Sequence, residues 1–135
     1  MKVLTLMVEF RGRGTPMDRS PGFAISEAVG PVRFSSGEAS GEARMKTVVY
    51  TNDGHFWEAG EIAFPELDAW LVVDTVTPGR VQQRADGSSY GSITWRVVSG
   101  RGPFAAVQGI VTGNFIGDAT GGFVDHQVYN LLLAR

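Results

Sequence analysis

Hydrophobic and polar positions alternate along most of the chain. In residues 2–10 (KVLTLMVEF), Leu4, Leu6, Val8 and Phe10 share one face, and Thr5, Met7 and Glu9 share the other. This is the period-two pattern of a half-buried strand. Residues 11–22 (RGRGTPMDRSPG) hold three glycines and two prolines and read as a long loop, either a lid or a surface connection. Two short strand-like pieces follow, Phe23–Glu27 and Val32–Ser36, and residues 40–51 form a longer strand. Asn52-Asp53-Gly54 is a hairpin signal. With Asp53-Gly54 as a two-residue loop, Thr51 faces Phe56, Val49 faces Glu58, Thr47 faces Gly60 and Met45 faces Ile62, while Lys46 meets Glu61 on the opposite face. Glu58 then stands on the apolar face.

Residues 65–71 (PELDAWL) are the best helical candidate, two turns at most, and read equally well as a turn into a strand. Residues 70–83 continue as a strand, with Pro78-Gly79 a bulge or edge break. Residues 90–98 form another strand, 100–109 a compact connection, and 109–116 with 122–133 a terminal hairpin around Gly117–Gly121. No window carries a sustained 3.6-residue apolar period. The count is about eight antiparallel strands with little helix. At this size, closing the sheet into a barrel removes its exposed edges. The expected architecture is therefore an all-β, antiparallel closed barrel forming one domain over residues 1–135.

Composition narrows the chemistry. The chain has 135 residues, no Cys and two His, which leaves no thiolate metal site, no cysteine nucleophile and no all-His metal site. Twelve Lys and Arg stand against fourteen Asp and Glu, so no basic excess favours nucleic acid. No apolar run approaches the ~20 residues of a bilayer span, and the start of the chain reads as a strand. A cytoplasmic protein without cofactor, metal, nucleic-acid or membrane partner is expected.

The segment from Ser92 to Val98, then Gly100-Arg101-Gly102-Pro103-Phe104, Val107-Gln108-Gly109 and a glycine-turned hairpin ending in Tyr129-Asn130-Leu131-Leu132-Leu133, covers about a third of the chain. It resembles the G-x-G-x-F-x-x-x-x-G connection of the allene oxide cyclase-like barrels, which include plant dirigent proteins and small bacterial relatives. The two glycines allow a tight strand exit, and Phe104 plugs the barrel end. The resemblance implies a calycin-type barrel, often oligomeric, that holds an apolar, flexible small molecule and in several members steers its cyclisation. No catalytic motif matches residue for residue, so no catalytic residue is carried over.

Taking the Ser99–Gln108 connection as symmetric, Ile93, Trp95 and Val97 share a face with Ile110, Thr112, Asn114, Val124, His126, Val128 and Asn130. That face is either the lining of a ligand cavity or a packed core with satisfied polar groups. Histidine is the side chain suited to proton exchange near neutral pH, so His126 is a candidate acid/base, against a structural histidine. Glu58 on an apolar face is a second candidate, against a buried ion pair with Arg96 or a slip in register. The expected catalytic pair is Glu58 and His126, with Trp95, Thr112, Asn114, Val49, Phe56 and Asn130 contacting substrate. The function these residues suggest is a cofactor-independent cyclase or isomerase of a hydrophobic, polyketide- or polyene-like molecule. The alternatives are a non-catalytic carrier or scavenger, and a filled structural barrel. Strand 70–76 has apolar residues on both faces, which suggests a homo-oligomer, dimer or trimer.

Overall fold

The computed structural model describes residues 1–133. Its strands are β1 (Lys2–Pro16), β2 (Phe23–Phe34), β3 (Ala39–Asn52), β4 (His55–Phe64), β5 (Ala69–Gln83), β6 (Ser89–Arg101), β7 (Gln108–Gly117) and β8 (Gly122–Leu133). They form one closed antiparallel barrel in sequence order, sealed by β1 pairing with β8 from Lys2↔Leu133 to Arg13↔Gly122. Two short 3-10 turns, Pro65–Leu67 and Gly102–Phe104, sit at one end. The all-β closed barrel expected from the alternation is the observed fold.

Where the pattern is strictly alternating, the pairing follows it. β3 and β4 meet in the expected register, Val49↔Glu58, Thr47↔Gly60 and Met45↔Ile62. The loop that fixes this register has both residues in the left-handed region, Asp53 at φ 53 and Gly54 at φ 73, which matches the right-handed twist of the strands it joins.

Glycine and proline mislead in two places. The stretch 11–22 is not one loop, because β1 runs on to Pro16 and only residues 17–22 turn. Gly12 belongs inside that strand, since a Cβ there would collide with the Glu27 carbonyl and with Ala28 on β2. Likewise β2 is continuous through Gly30-Pro31. A Cβ at Gly30 would strike the Glu9 carbonyl, and the ladder shifts between Pro31 and Arg33, where proline has no N–H to offer. The break expected at Pro78-Gly79 is real: β5 changes register against β6 between Thr75 and Arg80.

The barrel interior is divided. The end carrying the 3-10 turns is solid, with Leu6, Ile62, Phe64, Leu71, Phe104 and Tyr129 buried. Phe64 stands edge-on to both Phe104 and Tyr129, with centroids 5.7 Å apart in each pair. Phe104 is the plug its position after the double glycine suggested. The opposite end, between loops 17–22, 53–54, 84–88 and 118–121, is hollow.

Because the β3–β4 turn sets the register of the whole hairpin, Gly54→Val is expected to lower stability by about 1–2 kcal/mol, the cost of a side chain in left-handed backbone. Asp53→Asn should stay within about 0.5 kcal/mol. Urea denaturation of the two variants measures both.

Candidate functional site

The hollow end contains a cavity of about 260 Å³, at the small end of ligand-sized sites. Its walls are largely apolar, with Met45, Val49, Phe56, Ile93, Phe115 and Phe123 contributing. Phe56 and Phe115 meet edge to face at 5.6 Å. Three carboxylates, Glu58, Asp125 and, toward the rim, Asp118, interrupt this surface.

Glu58 is 8% exposed, and its position is built by two threonines. Thr47, directly inward on β3, donates its hydroxyl to Glu58 Oε2 at 2.5 Å. The β4–β5 ladder skips between Phe56 and Ala59, opposite the β5 bulge, and leaves the Glu58 backbone without its regular partner. Thr75 fills the gap: its Oγ1 accepts from the Glu58 N–H at 2.8 Å and donates to the Glu58 carbonyl at 2.7 Å. Burial pushes the Glu58 carboxyl up from 4.5 to about 7, while the Thr47 hydrogen bond pulls the other way and the Asp125 charge adds to the rise. Arg96, a conceivable ion-pair partner, lies on the outer wall 3.9 Å from Asp74.

Asp125 belongs to an inward row on β8. Tyr129 donates its hydroxyl to Gln127 Oε1, and Gln127 Nε2 donates to Asp125 Oδ2 at 2.9 Å. The row ends at Asp125 Oδ1, a buried atom with no hydrogen-bond partner. Gly113 on β7 leaves the space beside it, since a Cβ there would sit 3.1 Å from Oδ1. Burial raises the Asp125 carboxyl. The Gln127 amide, the nearby His126 and the Asn114 backbone N–H offset part of that rise. Burial also raises the Tyr129 hydroxyl, and the charges of Asp125 and Glu58 reinforce it. Among the described residues no group of three or more His, Asp or Glu is gathered to hold a metal ion.

Of the residues expected at the site, Glu58, Val49 and Phe56 line the cavity. Trp95 is inside but in the packed half, 1% exposed, with its Nε1 unpartnered. The remaining four need correction. His126, Thr112, Asn114 and Asn130 all face outward. His126 pairs with Glu9 on the outer wall at 3.5 Å, its side chain 67% exposed. Thr112 and Asn114 border an external depression beside the β5 bulge, and Asn130 accepts from Thr5 at 2.9 Å. The cause is the β6–β7 connection, which is asymmetric because it contains the 3-10 turn Gly102–Phe104. Trp95 therefore pairs with Val111 rather than Thr112, and a one-residue offset exchanges the two faces of every strand beyond it. Asp125, Phe115 and Phe123 thereby enter the lumen. The signal that finds them is closure: Phe10, an evident core residue of β1, pairs with Asp125.

A sealed antiparallel barrel with acids in an apolar lumen is the class this geometry defines. Among solved structures it is similar to a pterocarpan synthase dirigent protein, at 11% identity and a TM-score of 0.58, over 100% of this chain and 88% of that one. The fold is thus a closed eight-stranded barrel like that dirigent protein's. No family model matches the chain, and no curated protein matches its sequence.

The acids make the fold pH-dependent in a defined direction. Folded Glu58 holds its proton up to about pH 7, whereas an ordinary glutamate releases it near 4.5. Its stabilising contribution is complete below pH 4.5 and falls as the pH rises to about 7, by about 3 kcal/mol in total. Asp125, also raised, acts in the same sense. Thermal unfolding from pH 4.5 to 8 should show a declining midpoint in this component. Glu58→Gln should flatten the slope and exceed the parent's stability at the alkaline end.

Proposed function

We propose that this barrel is a cofactor-free cyclase or isomerase, holding a flexible hydrophobic small molecule in its lumen while Glu58 moves a proton. The observation that carries the reading is a carboxyl poised at about 7 inside an apolar cavity that opens at one end of the barrel. Such a group exchanges protons in both directions near neutral pH, which is what general acid/base work requires. Glu58 gives its proton to one atom of the bound molecule, and the carboxylate recovers a proton from another. The product is an isomer of the same mass. Thr47 aims the carboxyl, and Thr75 fixes the backbone that bears it. The walls, with Val49, Phe56 and Phe115, confine the substrate to a folded conformation, so that ordering is complete before the chemistry begins. The solved barrel of the same fold is named as a synthase, which agrees with this use of the lumen.

Self-association is part of the same proposal, on the strength of exposed apolar residues on the outer wall, among them Val98, Ile110 and Ile116. Light scattering of the purified protein tests it.

The catalytic reading is tested by incubation with a panel of flexible polyene and polyketide-type compounds, followed by chiral chromatography and mass spectrometry. The expected product is a single isomer of unchanged mass. Glu58→Gln should slow its formation about a hundredfold or more, whereas His126→Ala, altered on the outer wall, should react at the parental rate. Full turnover in both Glu58→Gln and Asp125→Asn would sink the acid/base role. Tight binding with every ligand recovered unaltered would instead make the protein a carrier.

A further inference from the structure

The lining of the lumen is acidic. Glu58, Asp125 and, toward the rim, Asp118 line it, and among the described residues no Lys, Arg or His does. The loops around the open end continue the bias. Segments 17–22, 53–54, 84–88 and 118–121 each carry an aspartate, Asp18, Asp53, Asp86 and Asp118, against Arg19 and Arg84 alone. Arg13, nearby on β1, donates to the Thr120 carbonyl at 2.6 Å, and its charge acts on Asp118 at the rim rather than on the two inner acids.

A second observation points to what would enter. Asp125 is 7% exposed and lines the cavity, and among the described residues its Oδ1 accepts no hydrogen bond, although the Asn114 backbone N–H lies near enough to favour the carboxylate. Gly113 lets that oxygen pack against β7, since a Cβ there would come within 3.1 Å of it. Buried carboxylates ordinarily have a charge or donor partner; among the described residues Asp125 Oδ1 has no hydrogen bond, and the Glu58 carboxyl has only the Thr47 hydroxyl, on Oε2. Around the acids stand the rings of Phe56, Phe115 and Phe123, surfaces that attract a cation as well as an apolar body. An anionic ligand would find three carboxylates and, among the described residues of the lining, no cationic side chain. The volume equals roughly nine liquid waters at ~30 Å³ each, room for one aromatic ring and a short chain.

We propose that the lumen takes a primary ammonium group carried on a small aromatic or apolar body, its N–H donors directed to Asp125 Oδ1 and the Glu58 carboxylate. The inference rests on the lumen being the ligand site and goes beyond it by fixing the ligand's charge.

Calorimetric titration near pH 8, where Glu58 is largely ionised, tests it with three probes of similar size: phenethylamine, phenethyl alcohol and phenylpropionate. The amine is expected to bind about tenfold tighter than the alcohol, as a charge-assisted hydrogen bond requires, and phenylpropionate more weakly than either. Asp125→Asn and Glu58→Gln, each checked by thermal unfolding, should bring the amine-to-alcohol affinity ratio toward one. Equal binding of amine and alcohol to the parent overturns the charge assignment and leaves the lumen as a ligand site. An amine preference that survives both substitutions also overturns it. Failure of all three probes to bind overturns both.

Discussion

Closure of β1 onto β8 is the constraint on which the rest of the molecule depends. An open sheet of this sequence would leave one face of Leu6, Val8 and Phe10 against water and two edges unpaired. Joining the edges converts a strip of alternating residues into an inside and an outside. It also limits the interior volume, so large side chains at one end, Phe64, Phe104 and Tyr129, fill their half completely. At the other end the inward positions include Gly14, Ala24, Ser26 and Gly117, too small to meet across the barrel, and a cavity remains.

Two buried acids line that cavity, Glu58 and Asp125, and the polar side chains that hold them, Thr47 and Gln127, stand behind it. Thr47, Glu58, Asp125 and Gln127 are all buried. Each is tied to a neighbour, apart from one oxygen of Asp125. Desolvation, rather than any single neighbour, dominates the state of both acids, and it acts because aromatic and aliphatic walls exclude water from the space they share. The irregularity of β5 contributes directly. By breaking the ladder opposite Glu58 it hands that residue's backbone to the Thr75 side chain. A bulge that closes the barrel also fixes the acid's place in it.

The same features explain how the fold resembles a dirigent protein's while only 11% of residues agree. A barrel of this kind asks for alternation, turns and an end plug, which many sequences supply. Its chemistry is set by the few inward residues of the hollow half, and these must be read one by one.

How far that reading goes without a structure depends on what joins each pair of strands. Between β3 and β4 a two-residue turn admits one register, so the inward position of Glu58 and its neighbours Val49, Thr47 and Ile62 follows from residues 45–62 alone. Between β6 and β7 the connection contains a 3-10 turn whose residue count is not symmetric, and local pattern cannot say which parity continues. Both faces of β7 and β8 carry apolar and polar residues, so hydrophobicity does not arbitrate either. His126 and Asp125 adjoin in sequence and must face opposite ways. That the histidine went outside to Glu9 and the aspartate inside was decided by β8 pairing with β1, a contact between the two ends of the chain. Turns and alternation act over a few residues, so most strands, the closed barrel and the inward face of Glu58 are legible along the chain, while the far end of β1 and the continuity of β2 through Gly30-Pro31 are not. The second acid is settled by the fold, because a parity carried across the barrel is fixed where its ends meet.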